Sequence, residues 1–340
     1  MSNRSLWVDY AKGIGIILVV YGHVARGIFK AGIQFDPSTY NLVDSIIYTF
    51  HMPLFFFLAG LFFLQSNQKT KSINLIRIKA ETILYPYVLW SLIQGGIEII
   101  LSKYTNGHIE INEVLALLWK PRAQFWFLYV LFFMFVLSTL LYRRSNLFWI
   151  RSVFVFSLLM YFVGTNIHLA YLPNKLSQYF VFFTLGVLAA STMLKNNNSL
   201  TGWLTFLYVL FVIGQWVFHW VLKLRFDSNA PTETLLIGII SVSFVVVASQ
   251  KLCQLNLQWI AYLGRNSMII YLMHILASSG CRVVLQKILG VSDTAIHLSA
   301  GTVAGLIIPL LVFWLFNRIG FVALLKPPKL LRFSRAGAHS

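Results

Sequence analysis

Apolar residues run through this chain in long, nearly unbroken stretches instead of recurring at the spacing of a half-buried soluble element. Stretches of roughly 18 to 25 residues, the length a helix needs to cross about 30 Å of hydrocarbon, recur with polar breaks between them. Ten spans are predicted, over residues 7–28, 44–65, 82–102, 124–142, 147–164, 175–193, 202–222, 233–250, 266–288 and 298–325. The breaks are too short for a separate folded domain, so 1–340 reads as one integral membrane domain, an all-α polytopic bundle. No internal repeat or low-complexity tract is visible.

Composition agrees with that pattern. The 340 residues are 58% hydrophobic, 16% aromatic and 11% charged, with a mean hydropathy of +0.74, whereas soluble domains carry about 25% charged residues. A soluble enzyme with one anchor is excluded. Asp9 and Lys12 interrupt the first stretch and no small-residue cleavage site follows, so no cleaved leader is expected and the first helix is kept. With ten spans, one side collects seventeen basic residues, among them Lys12, Arg77, Lys79 and Arg265, and the other ten, among them Arg26, Arg122 and Lys175. The positive-inside rule then places both termini in the cytoplasm, in a multi-pass protein of the bacterial inner membrane. The net charge of +17 reflects this bias and attraction to anionic membrane lipids. No basic groove or stacking motif accompanies it, so nucleic acid is not an expected partner. Cys253 and Cys281 fall on opposite faces and are not expected to pair.

Charged residues inside an apolar span cost about 2.5 to 3.5 kcal/mol each on insertion scales, so each needs a partner or a task. "DYAKGIGIILVVYGHV" holds Asp9, Lys12 and His23. Eleven residues apart, Lys12 and His23 return to within about 20° of one helix face, about 16 Å apart along the axis. That face carries a cation at the cytoplasmic mouth and an imidazole in the outer half, and Gly13, Gly15 and Gly22 let a neighbour or ligand approach. "YTFHMPLFFFLAGLFF" places His51 in the first turn of the second helix, roughly 10 Å below the outer surface, and Glu98 of the third helix reaches a similar level. Two imidazoles and a carboxylate at one depth make a polar chamber. The blander readings are a snorkelling Lys12, an interhelical hydrogen bond for His23, an outer-interface His51 that simply caps its helix, and pairing of Glu98 with Lys103.

The segments "DYAKGIGIILVVYGH", "FHMPLFFFLAGLFF", "YPYVLW", "FWFLYVLFF" and "YLGRNSMIIYLMH", in this order, resemble the acyltransferase-3 family of integral membrane acyltransferases over essentially the whole chain. The subgroup often labelled fucose 4-O-acetylase-like is the most similar. The most specific element is a basic residue, ten intervening residues and a histidine, matched by Lys12 and His23; many members have arginine at the first position. The family's Arg-x-x-Arg pair before the third helix is not reproduced, and Arg77, Lys79 and Glu81 precede Pro86 instead.

The resemblance implies transfer of an acetyl group from cytosolic acetyl-CoA, a cosubstrate and not a resident cofactor, to a sugar hydroxyl of a glycan or lipid-linked saccharide, alongside polysaccharide biosynthesis machinery. Such a reaction needs cations for CoA phosphates on the cytoplasmic side, where Lys12, Arg77, Lys79 and Arg265 qualify. It also needs a base deeper in. An imidazole, which titrates near neutrality, suits that task, so His23 is expected to act as base or acyl carrier, with His51 and Glu98 beside it. Arg122, Trp126, Tyr129 and His274 are expected around the acceptor, and Asn266 and Ser267 as a helix cap. His108, His168 and His297 fall in outer loops and His339 in the tail, without a role; His219 is expected at the interface. No close-spaced metal-ligand cluster appears. A secondary transporter or glycan exporter is the alternative from another class, but inverted repeats with broken helices in corresponding halves are missing. A noncatalytic partner of a polysaccharide synthase remains the third.

Overall fold

The computed structural model describes residues 6–101, 110–144, 146–192, 200–320, 322–324 and 327–328. Among them every regular element is helical. The chain runs through α1 (Leu6–Lys30), α2 (Pro37–Tyr48), α3 (His51–Leu61), α4 (Phe63–Lys69), α5 (Ser72–Lys79), α6 (Tyr85–Ile100), α7 (Ile111–Leu115), α8 (Trp126–Leu141), α9 (Leu147–Asn166) and α10 (Tyr171–Thr192). It continues through α11 (Leu200–Trp216), α12 (Pro231–Gln254), α13 (Gln258–Arg265), α14 (Ser267–Val283) and α15 (Thr294–Arg318).

Nine helical stretches among the described residues are long and apolar enough to cross a membrane, and each overlaps one predicted span. The remaining prediction, 175–193, forms α10, a helix of 22 residues that could also cross by length. Asn174, Lys175, Ser177 and Gln178 near its start dilute its hydropathy. Several spans are compound. The second begins seven residues before its predicted start because Asp36 caps α2 through Thr39 N at 2.8 Å and Pro37 opens the first turn. Hydrogen bonds from Ser38 and Thr39 hold the exposed Asp36 carboxyl at about 2, so the cap stays ionised at neutral pH. The helix then breaks at Thr49 and Phe50 and restarts at His51, with Pro53 in the first turn as expected. In the third span a π turn, Ala80–Leu84, joins α5 to α6. Pro86 follows it; proline cannot donate a backbone hydrogen bond and its ring crowds the turn before it, and the wider turn relieves both.

The last span also starts earlier than predicted, because the Asp293 side chain caps Ile296 N at 2.8 Å. His297 therefore lies inside α15 and not in a loop, buried, with Nε2 2.9 Å from the Val291 carbonyl. His219, near the end of its span, is buried between the Gln215 carbonyl and Ser45 Oγ.

α1 is the hub of the bundle, packing against α3, α12, α13, α14 and α15, while α10 packs against α3, α8 and α9. Two glycine contacts set the closest approaches. A Cβ at Gly264 of α13 would strike the Asp9 carbonyl of α1, and one at Gly60 of α3 would strike the Phe183 carbonyl of α10, with Gly186 returning the contact against Phe57. Such small-residue contacts let helices meet in lipid, where no hydrophobic force draws them together. Buried Phe56, Phe63, Phe127, Phe135, Phe180 and Phe183 fill the space between α3, α8 and α10. Exposed Phe156, Leu159, Val212, Trp216, Ile307 and Leu311 on α9, α11 and α15 mark the lipid-facing perimeter.

Candidate active site

Lys12 and His23 share a face of α1, as their spacing predicts. A cavity of about 300 Å³ runs along it, lined by Lys12, Ile16 and Val19 of α1 and closed by Met52, Phe55 and Leu58 of α3, Phe127 and Leu131 of α8, and Tyr271 of α14. Its wall is apolar apart from Lys12, Lys79, Thr82, Ser267 and Tyr271. Thr82 enters it from the π turn, so the irregular turn lies at the cavity and not in the packed core. Lys79 lays its ammonium 4.0 Å over the Phe135 ring, and Lys12 and Lys79 are close enough to act on each other electrostatically.

At the other end the lining stops at Val19, Met52 and Tyr271. Each lies within four residues of a histidine along its helix: His23, His51 and His274. The His23 and His274 ring centroids are 5.1 Å apart, and His51 lies within electrostatic range of His23. His51 and His274 are buried, and His23 is half-buried. His51 holds its Nδ1 2.8 Å from the Ile47 carbonyl, and His274 holds its Nδ1 3.1 and 2.8 Å from the carbonyls of Ile270 and Tyr271. Carbonyls only accept, so both Nδ1 atoms carry hydrogen and both Nε2 atoms, when the rings are neutral, present lone pairs. The His23 ring makes no hydrogen bond among the described residues.

Two polar assemblies flank the histidines. Arg26, one turn beyond His23, forms a two-point ion pair with Asp44 at 2.7 and 2.8 Å and lies 3.3 Å over the Tyr48 ring, which meets His51 edge-on at 4.4 Å. Neither Asp44 nor Tyr48 was singled out from sequence. Their signal was the spacing of 44, 48 and 51, one face at helical periodicity, hidden because the helix breaks between Tyr48 and His51. On the other flank Glu98 pairs with Arg122 at 2.5 Å and accepts from Gln94 at 2.8 Å. Gln94 and Gln124 bond side chain to side chain, and the Tyr271 hydroxyl donates to the Gln124 carbonyl. Ala123, at φ 46°, sits in the left-handed region between Arg122 and Gln124. The expected partner of Glu98, Lys103, lies outside the described residues.

The predicted donor cations divide. Lys12 and Lys79 line the cavity, whereas Arg77 and Arg265 are exposed and do not, and Arg265 pairs with Asp9 at 3.3 Å. Trp126 is half-buried, its ring 5.3 Å from Tyr179 and 6.2 Å from Phe56, with the Lys175 ammonium 5.5 Å over it. Asn266 occupies the cap position of α14 but directs its amide back to the Tyr262 carbonyl at 2.9 Å, and Ser267 lines the cavity. Among the described residues no group of three or more His, Cys, Asp or Glu side chains is placed to hold a metal ion.

Comparison with known proteins identifies a family. The model of a family described as an acyltransferase domain, Acyl_transf_3, matches residues 5–317. The chain is 29% identical over 208 residues to nodulation protein NolL of Sinorhizobium fredii, covering 58% of this chain and 52% of that protein. It is 24% identical over 207 residues to nodulation protein NolL of Mesorhizobium japonicum, covering 58% and 51%. The chain thus spans about half the length of the curated relatives it matches. No solved structure matches it.

Proposed function

Since the chain belongs to the acyltransferase-3 family, we propose that it is a membrane O-acetyltransferase that moves an acetyl group from cytosolic acetyl-CoA to a sugar hydroxyl of a cell-envelope or exported polysaccharide. One observation carries the reading: a single cavity leads from two lysines, along an apolar wall, to the foot of a three-histidine cluster. A CoA thioester has the same sequence of properties, phosphates at one end and a thin, weakly polar arm ending in the acyl carbon. Two ammonium groups held near each other on the cavity wall suit an anionic ligand. The apolar wall excludes water, which would otherwise compete with the sugar for the acetyl group. The Lys12 end faces the cytoplasm and the Arg26 end the outer side, in keeping with the bias of basic residues. The resemblance to the fucose 4-O-acetylase-like subgroup supports a sugar as acceptor.

His23 is the base. It stands on the face that carries the donor cavity, and its ring makes no hydrogen bond among the described residues. It takes the proton of the attacking hydroxyl as the oxygen bonds to the acetyl carbon and the thiolate leaves, a task worth typically 10²- to 10⁴-fold. Trp126 and Tyr179, whose rings lie 5.3 Å apart, offer aromatic surface for a sugar. The test uses protein purified in detergent, membranes from producing cells as acceptor and acetyl-CoA labelled in the acetyl group. Wild type should move label into polysaccharide, while His23→Gln should bind acetyl-CoA normally and transfer at least about 100-fold more slowly. One interhelical hydrogen bond averages only about 0.6 kcal/mol in a membrane, too little for unfolding to explain that loss. Transfer by His23→Gln within a few-fold of wild type would remove His23 from the chemistry.

A further inference from the structure

We infer that His274 is the orienting partner of His23: its Nε2 accepts the N–H of the His23 nitrogen that does not face substrate, fixing which His23 nitrogen is the base. This rests on the reading of His23 as the base, and it adds a second imidazole to the reaction centre.

Three observations lead there. First, the His274 tautomer is set, because its Nδ1 lies against two backbone carbonyls at 3.1 and 2.8 Å and must carry hydrogen. Second, its Nε2 lone pair is enclosed and has no hydrogen-bond partner among the described residues, on a side chain that is 0% exposed. Enclosed acceptors without a donor are rare in folded proteins, and each calls for an explanation. Third, the polar groups beside it on its own helix are already used. The Tyr271 hydroxyl, on a ring 6.1 Å away, donates to Gln124, and Ser278 donates to the His274 carbonyl at 2.7 Å. His23 remains, its ring centroid 5.1 Å from that of His274 with the planes tilted by 54°. A small rotation of the half-buried His23 ring supplies the missing hydrogen.

During transfer the acceptor hydroxyl gives its proton to the substrate-facing nitrogen of His23, its oxygen bonds to the acetyl carbon, and the carbon–sulfur bond breaks to release thiolate. The thiolate then takes that proton, returning His23 to its neutral form. His274 neither gains nor loses a proton; it holds the second N–H of His23 throughout and delocalises the positive charge that His23 carries in between. In soluble triads a carboxylate does this. Within a membrane a neutral acceptor avoids burying another charge beside the histidines.

The test compares full-length His274→Leu, which has no acceptor, with His274→Gln, whose amide oxygen can stand near the place of Nε2. CoA thiol release from acetyl-CoA in the presence of acceptor membranes gives kcat and KM. In parallel, magnetic resonance of ring-labelled histidine reports the His23 tautomer, with the His23 signal identified by its loss in His23→Gln. His274→Leu should lower kcat on the order of 100-fold at unchanged KM for acetyl-CoA and unchanged melting temperature, and His274→Gln should recover to within about tenfold of wild type. The His23 ring should be a single tautomer in wild type and a mixture in His274→Leu. Equal rates in the two variants, a loss that follows the fraction of unfolded protein, or an unchanged His23 tautomer in His274→Leu would overturn the inference. Should wild type release no CoA, the acetyltransferase reading fails, and the tautomer still decides whether His274 orients His23.

Discussion

Lys12 and Lys79 are two like charges on an apolar wall, and their energetic balance changes when an anion arrives. Lys12→Ala should raise the KM for acetyl-CoA roughly tenfold with kcat nearly unchanged, the loss of one charge-assisted contact worth about 1.5 kcal/mol. Lys12→Arg should stay close to wild type, because a cation of similar reach remains. Steady-state kinetics at varied acetyl-CoA checks both, and a fall in kcat at constant KM would place Lys12 elsewhere. Glu98 stands differently. Its carboxylate is occupied by Arg122 and Gln94, so Glu98→Gln leaves Arg122 without its counter-charge in a half-buried site. The variant should melt several degrees below wild type, and adding Arg122→Gln should restore part of the loss. A Glu98→Gln protein that is fully stable yet inactive would instead give the carboxylate a chemical role.

At the scale of elements, the site depends on where helices stop being regular. The break at Thr49 and Phe50 lets His51 start a new helix beside α1, and the π turn of Ala80–Leu84 brings Thr82 to the cavity. Close approach of α13 to α1 fixes how the start of α1 sits in the bundle. Gly264→Ala should destabilise the protein by roughly 1 to 3 kcal/mol, because the added methyl meets a backbone carbonyl that cannot swing aside. Gly96→Ala in α6, where a Cβ meets nothing within 4 Å, should be neutral or slightly stabilising. Thermal melts of the two variants in detergent make the comparison; equal melting points would mean that the α1–α13 contact is looser than its geometry.

For the whole molecule the open quantity is direction across the membrane. Catalysis as proposed requires the Lys12 end to meet cytosolic acetyl-CoA and the Arg26 end to meet the glycan. In a protein with Cys253 and Cys281 replaced, a cysteine at Ser38, between α1 and the body of the second span, should react with an impermeant maleimide added outside. A cysteine at Thr70, between α4 and α5, should react only after the membrane is opened. The opposite labelling would invert the topology and with it the source of the donor.

Spans, their order and the shared face of Lys12 and His23 were legible in the sequence because each depends on local quantities: apolar length against bilayer thickness, and 100° per residue along one helix. Cap residues such as Asp36 and Asp293 were also there to be read, and they explain why α2 and α15 begin earlier than hydropathy alone predicts. Depth along each helix suggested that His23 and His51 stand near each other, and the two lie within electrostatic range. Which helices are neighbours was not legible, since side chains facing lipid and side chains facing another helix are equally apolar. Only the tertiary structure could bring His274, some 250 residues away, against His23, pair Arg26 with Asp44 and Glu98 with Arg122, and leave the Lys12 face of α1 beside a cavity. Those pairings follow from glycine-mediated approach and the need of buried polar groups for partners, and both depend on chain segments far apart in sequence.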